Sequence, residues 1–138
     1  KLNLEEKKYL KDTACHNIFL DHRSLIYNAS NAGKLIALSP DGTNLKYELN
    51  FPGHTKGLCV LGDHLIIGYS DHAKRDDRKT SKGYLSVIKL VDFTVVKTID
   101  LNHPSLPHPI GNVNEIRCLS HYDYSHCMKV ECLAAAKV

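Results

Sequence analysis

His54-Thr-Lys-Gly-Leu-Cys-Val-Leu-Gly-Asp-His-Leu-Ile-Ile-Gly-Tyr-Ser-Asp71 is the stretch that decides how this chain folds. Two short apolar runs, Leu58-Cys59-Val60 and Leu65-Ile66-Ile67, flank Gly62-Asp63. A glycine followed by an aspartate between such runs closes a tight hairpin, because glycine takes the positive φ of the turn at no steric cost. The runs carry no 3.6-residue stripe and are too short for helices, so they read as strands.

The same grammar extends in both directions. Strands are expected near 15–20, 24–28, 34–38, 45–50, 57–61, 64–69, 84–90, 94–101, 113–119 and 128–133. Ser39-Pro40-Asp41-Gly42 is a reverse turn, with proline presetting φ, and Val91-Asp92-Phe93 turns a later pair. At the start, Leu2, Leu4 and Leu10 flank a Glu-Glu-Lys-Lys run that reads as an N-terminal extension over 1–14, either a short helix or an edge strand. Two interruptions break the rhythm. Residues 71–82 are almost wholly polar, and 102–111 hold three prolines and two histidines. Both read as surface loops, and a loop of about 12 residues is often functional or disordered.

Aligning the strands exposes a repeat. His16 leads Asn17-Ile18-Phe19-Leu20, then Ser24-Leu25-Ile26-Tyr27, then Gly33-Lys34-Leu35-Ile36, then Lys46-Tyr47-Glu48-Leu49. His54 leads Thr55 to Val60, then His64-Leu65-Ile66-Ile67, then Gly83-Tyr84-Leu85-Ser86, then Val95-Val96-Lys97-Thr98. Each unit has a histidine at its head and a glycine before its third strand, and the heads lie 38 residues apart. That is near the period of a propeller blade, about 40–45 residues. A third, partial unit starts near Gly111 and runs to about residue 133. The expected fold is therefore all-β and propeller-like, a single domain over 1–138 with four-stranded antiparallel blades near 15–50, 54–101 and 111–133. A four-stranded sheet cannot cover both its faces alone, whereas radial stacking on neighbours does so. Closed rings take about four or more blades, so a chain of three units is expected to close a ring with copies of itself, to be a piece of a longer propeller, or to form a different sandwich.

These residues resemble an uncharacterised bacterial β-propeller family of conserved hypothetical proteins. The stretch from His54 to Ser70 is similar to its blade signature, x-(T/A)-R-G-L-A-x-x-G-D-x-x-x-V-G-x-S. Gly83-Tyr-Leu-Ser-Val-Ile-Lys-Leu90 is similar to its glycine-led strand, and Asn112-Val-Asn-Glu-Ile-Arg117 to its (E/N)-(I/L)-Y-D-(I/V)-R element. Ala14-Cys15-His16-Asn17-Ile18 is similar to its P-H-S opening, with cysteine in place of proline, and Asn114-Glu115 stands where the family has Tyr-Asp. The resemblance spans about residues 14–120 and implies a propeller, with no reaction attached. Fold analogy does not carry function.

Composition narrows the classes. The 138 residues are 43% hydrophobic and 24% charged, with a net charge of +3. That charge is too small to argue for nucleic acid. In Lys74-Arg75-Asp76-Asp77-Arg78-Lys79 acids alternate with bases, which reads as a solvated loop. No run approaches the ~20 apolar residues of a membrane helix, and none reads as a signal peptide. Five cysteines, an odd count without C-x-x-C, fit a reducing, cytoplasmic setting, with Cys59 and Cys118 behaving as small hydrophobes. Asn28-Ala29-Ser30 matches a glycosylation acceptor, a triplet common by chance. The first residue is Lys1 and the one methionine is Met128, as a trimmed or processed chain or a fragment would show.

His16 and His54 are the leading site candidates. At the heads of inner strands they would converge at one mouth of a central channel. There they could hold a divalent metal or an anionic ligand, or each could bond the backbone of a neighbouring unit, which is the preferred reading. Asn112, Asn114 and Glu115 are candidates for a third position, and Arg117 is expected to pair with Glu115 or with a neighbouring blade rather than to clamp a substrate. Asp63-His64 and Asp71-His72 are adjacent pairs whose side chains should point to opposite faces of a strand, so neither is expected to form a dyad. The tail from His121 to Cys132 is dense in ligand-type residues, without zinc spacing. No G-x-S-x-G and no glycine-rich phosphate loop occurs. The expectation is thus a non-catalytic binding or scaffold module, homo-oligomeric, with a small-molecule or protein partner at the channel mouth. The alternative is a metal-dependent hydrolase or lyase using His16 and His54, and a third reading is a functionless remnant.

Overall fold

In a computed structural model of the chain, residues 14–102, 104–106 and 109–119 are described. The strands are β1 (Cys15–Leu20), β2 (Leu25–Ala29), β3 (Lys34–Leu38), β4 (Leu45–Asn50), β5 (Gly53–Leu61), β6 (His64–Asp71), β7 (Gly83–Lys89) and β8 (Val95–Asp100). They form two four-stranded antiparallel sheets, ordered β1-β2-β3-β4 and β5-β6-β7-β8. The two repeat units of the sequence are these two sheets. Among the described residues helical structure is confined to two 3₁₀ segments, Ser30–Ala32 and Arg75–Thr80. The N-terminal extension over 1–13 and the expected strand 128–133 lie outside the described residues.

The hairpins follow the local chemistry. Gly62-Asp63 links β5 and β6 with Leu61 opposite His64, and Gly62 takes φ 59° while Asp63 stays at negative φ. Positive φ at the first central residue is the pattern of a II′ turn, whose twist matches that of the strands. The Ser39-Pro40-Asp41-Gly42 turn closes with the Gly42 amide donating to the Ser39 carbonyl at 2.8 Å. The Asp41 carboxylate takes further bonds from the Ser39 and Thr43 hydroxyls.

The main core lies between the sheets. Ile26, Leu35 and Ala37 from the first meet Leu65, Ile67 and Ile88 from the second, with Phe93 closing one end. Leu65 and Ile88 are cross-strand partners on one face. Burying each large aliphatic side chain contributes about 1.5–3 kcal/mol. A second cluster, Tyr27, Ala29 and Ile36, occupies the opposite face of the first sheet. Alternation along β2 explains this: Ile26 and Asn28 face the second sheet, Tyr27 and Ala29 face away.

β5 is the strand that binds the sheets together. It begins at Gly53, four residues earlier than the sequence suggests, so His54 lies within the strand. Gly53 lies outside the expected strand and Gly57 at its start, and each has a strand role. Gly53 pairs with Asp71 so closely that a Cβ would sit 2.0 Å from the Ser70 carbonyl oxygen. Gly57 is the extra residue of a β-bulge, at φ 74°. Asn17 fills the same office in β1, at φ 50°. The two bulges touch: the Gly57 amide donates to Asn17 Oδ1 at 2.8 Å, and Asn28 Nδ2 donates to the Gly57 carbonyl at 3.3 Å. Thr55 Oγ1 adds a bond to the Lys34 carbonyl at 3.0 Å. Bulges re-aim a strand and free backbone groups for such contacts.

The expected strand over 113–119 is not formed; residues 109–119 carry no ladder. They cross the outward face of the second sheet instead. Ser70 Oγ donates to the Gly111 carbonyl, and the Val113 amide donates to Ser70 Oγ at 3.0 Å. Val113 packs onto Gly68, where a Cβ would lie 2.3 Å from its Cγ1. By pairing, Ser70 opposite His54 corresponds to Asn28 opposite His16. Each is a buried polar residue that bonds the backbone of the segment that follows its own sheet. The glycines of the third strands are less alike. Gly33 precedes β3 at φ 63°, whereas Gly83 is the first residue of β7 and leaves room for the 110–111 backbone.

Candidate functional site

The histidine heads meet in one cleft of about 190 Å³. β1 contributes His16, β5 contributes His54 and Lys56, and the first 3₁₀ segment contributes Ser30 and Asn31. Arg78 enters from the second 3₁₀ segment and Asn112 from the 109–119 crossing. His54 and Lys56 share a face because they are two apart on a strand, and Thr55 between them points into the protein.

His54 is held by its neighbours. Its Nδ1 lies 3.4 Å from the Ser30 carbonyl and its Nε2 lies 3.5 Å from Nδ1 of His72. A carbonyl accepts only, so Nδ1 carries the proton, and in the neutral ring Nε2 accepts from His72. The rings meet edge to face at 4.6 Å. Burial holds the His54 imidazole below its ordinary range; the Ser30 carbonyl opposes this, and the positive charges of His72, Arg78 and Lys56 add to the depression.

Arg78 is the second feature. The polar run that reads as a solvated loop forms a 3₁₀ segment, and Arg78 within it is half-buried. Ser81 Oγ donates to its carbonyl at 2.7 Å, and Gly111 packs so close that a Cβ would lie 2.4 Å from that oxygen. Its Nε is buried with no hydrogen-bond partner among the described residues. No carboxylate is among the described residues that line the cleft. An arginine, a lysine and two histidines therefore share one small space without an acid from those residues.

Three of the six residues singled out in the sequence, His16, His54 and Asn112, converge here. Asn114 is exposed and elsewhere. Glu115 lines a different cleft, of about 350 Å³, with Asn17, Phe19, Leu58, Cys59 and Ile116. Arg117 bonds Glu115 at 2.7 Å, the expected structural pair, with both side chains exposed. His54 also contacts the backbone of the neighbouring sheet, as the structural reading of the histidines anticipates. Among the described residues no group of three or more His, Cys, Asp or Glu side chains could hold a metal ion. The ligand-type tail from His121 to Cys132 lies outside them.

One expectation is corrected. His64 Nδ1 and Asp63 Oδ1 pair at 2.6 Å, because Asp63 sits in the turn rather than on the strand and is free to fold back. Asn28, of the triplet attributed to chance, is fully buried and bonded to Gly57. Lys56, His72 and Arg78 escaped the sequence reading. The alternation from His54 signals Lys56, but nothing in a charged run marks which arginine turns inward.

Compared with known proteins, the chain matches no protein family and no curated sequence. Among the described residues no helix is long and apolar enough to cross a membrane.

Proposed function

We propose that the chain is a non-catalytic binding module whose cleft at His16, His54, Lys56 and Arg78 takes a small oxyanion, a carboxylate or a phosphate group. The observation that carries this is the gathering of Arg78, Lys56, His54 and His16 around one cleft whose described lining holds no acid. Opposite charge and charge-assisted hydrogen bonds from such groups favour an oxyanion there. Guanidinium geometry suits carboxylate and phosphate alike. The volume, about six waters' worth at ~30 Å³ each, sets the scale of the bound group. The same cations oppose a bound metal ion, so the hydrolase or lyase reading gains no support from the cleft.

The propeller reading belongs with this proposal. The first sheet receives β5 and the second receives the 109–119 crossing through corresponding buried residues, Asn28 and Ser70. That repetition supports radial stacking of further units around an axis lined by the histidine heads, with copies of the chain completing the ring.

Titration calorimetry with inorganic phosphate and with acetate tests the site. Millimolar or tighter binding of either probe is expected, weakened about tenfold or more in Arg78→Gln, since a charge-assisted bond contributes about 1.5–3 kcal/mol. Acetate affinity should rise as pH falls below about 6.5, because His54, whose pKa burial holds below that ordinary value, gains charge there and an anion favours the protonated ring. Binding of neither probe, or equal binding by Arg78→Gln, overturns the proposal.

A further inference from the structure

Cys59 on β5 and Cys118 at the end of the 109–119 crossing are 59 residues apart in sequence, yet their sulfurs lie 3.0 Å apart. Both are thiols. A disulfide requires about 2.05 Å, so about 1 Å of approach separates contact from a bond. Cys118 is exposed and Cys59 half-buried, which gives one sulfur accessible to a reagent and one shielded behind it. The contact also falls where the chain has little else to hold it. Upstream, Val113 is pinned by Ser70 and Gly68 and Ile116 rests against Gly57, but residues 114–119 have no ladder. The Cys118 thiol is pushed above its ordinary range, first by its bond with Cys59 and then by desolvation.

We propose that Cys59 and Cys118 are a redox pair whose oxidation staples the 109–119 crossing to the second sheet. The co-reactant is a low-molecular-weight disulfide such as oxidised glutathione. The Cys118 thiolate attacks one sulfur of that disulfide, forming a mixed disulfide and releasing one thiolate. The Cys59 thiolate then attacks the Cys118 sulfur and the second small thiolate leaves. Two protein thiols have lost two protons and two electrons, and the small disulfide has gained them. The staple is independent of any ligand at the histidine cleft.

Disulfide mapping tests this on the full chain. Protein equilibrated with reduced and oxidised glutathione is alkylated and digested with trypsin without reduction. Cys59 then lies in the peptide Gly57–Lys74 and Cys118 in Cys118–Lys129, which also holds Cys127. A Cys127→Ser/Cys132→Ser chain removes that ambiguity, and fragmentation of the wild-type cross-linked peptide between Cys118 and Cys127 resolves it if that chain does not fold. The expected product is a Cys59–Cys118 cross-link, absent from Cys118→Ser. Amide exchange over residues 114–118 should slow by about tenfold or more on oxidation, because a tether suppresses local opening. A Cys118–glutathione adduct that never resolves, preferential pairing of Cys59 with another cysteine, or a cross-link that leaves exchange unchanged would each overturn the proposal.

Discussion

His54 shows how one side chain can hold two sheets together and line a cleft at once. It bonds the Ser30 carbonyl across the sheets, its other nitrogen meets His72, and its ring lines the cleft. Its depressed pKa links it to stability. A histidine lowered from its unfolded value of about 6.5 contributes stability fully present above that pH, lost as pH falls through the lower folded value. The thermal midpoint of the wild type should therefore fall more steeply below about pH 6.5 than that of His54→Gln. Parallel profiles would mean that the imidazole is not held neutral. A repeated histidine was legible in the sequence as a special position. The identity of its neighbours was not, because Arg78 comes from a distant segment whose inward turn depends on Gly111 leaving room for it.

Strands and turns were the most readable features. β1, β3 and β4 match their expected bounds, since each is a short run with apolar residues that turn residues end. The misses have physical causes. β5 continues through Gly57 because a bulge turns an apparent breaker into a contact with Asn17 and Asn28. The 113–119 run has strand-like composition but no ladder partner among the described residues, where Ser70 and Gly68 hold Val113. Composition reports fitness for a sheet, while pairing depends on a partner the local sequence does not name. Gly68→Ala tests the docking of this crossing. The added methyl would meet Val113 Cγ1 at 2.3 Å and the Lys56 carbonyl at 2.5 Å. Overpacking of this kind costs about 1–3 kcal/mol, and here should show as a lower urea midpoint with faster amide exchange at Val113. An unchanged midpoint would show that the segment lifts away freely.

At the largest scale the described residues form two sheets joined by an aliphatic core and by β5. The outermost strands are the least protected parts: β8 is exposed along its full length, with Val95, Val96 and Ile99 among the exposed apolar residues, and β4 exposes Leu45. Edge strands with apolar side chains invite pairing with another chain. If copies complete a ring, sedimentation equilibrium should give a mass at least twice the 15.5 kDa of one chain. A single-chain mass across micromolar concentrations would remove ring closure by self-association and leave the anion cleft, which one chain builds alone.

The strand order has a kinetic corollary. Among the described residues every hydrogen-bonded partner is the next strand along the chain, so no pairing requires a crossover, and the longest connection is the 72–82 segment between β6 and β7. Low average separation between contacting residues favours rapid folding. Each meander can zip hairpin by hairpin before the other arrives, and the late event is the meeting of two ready-made surfaces.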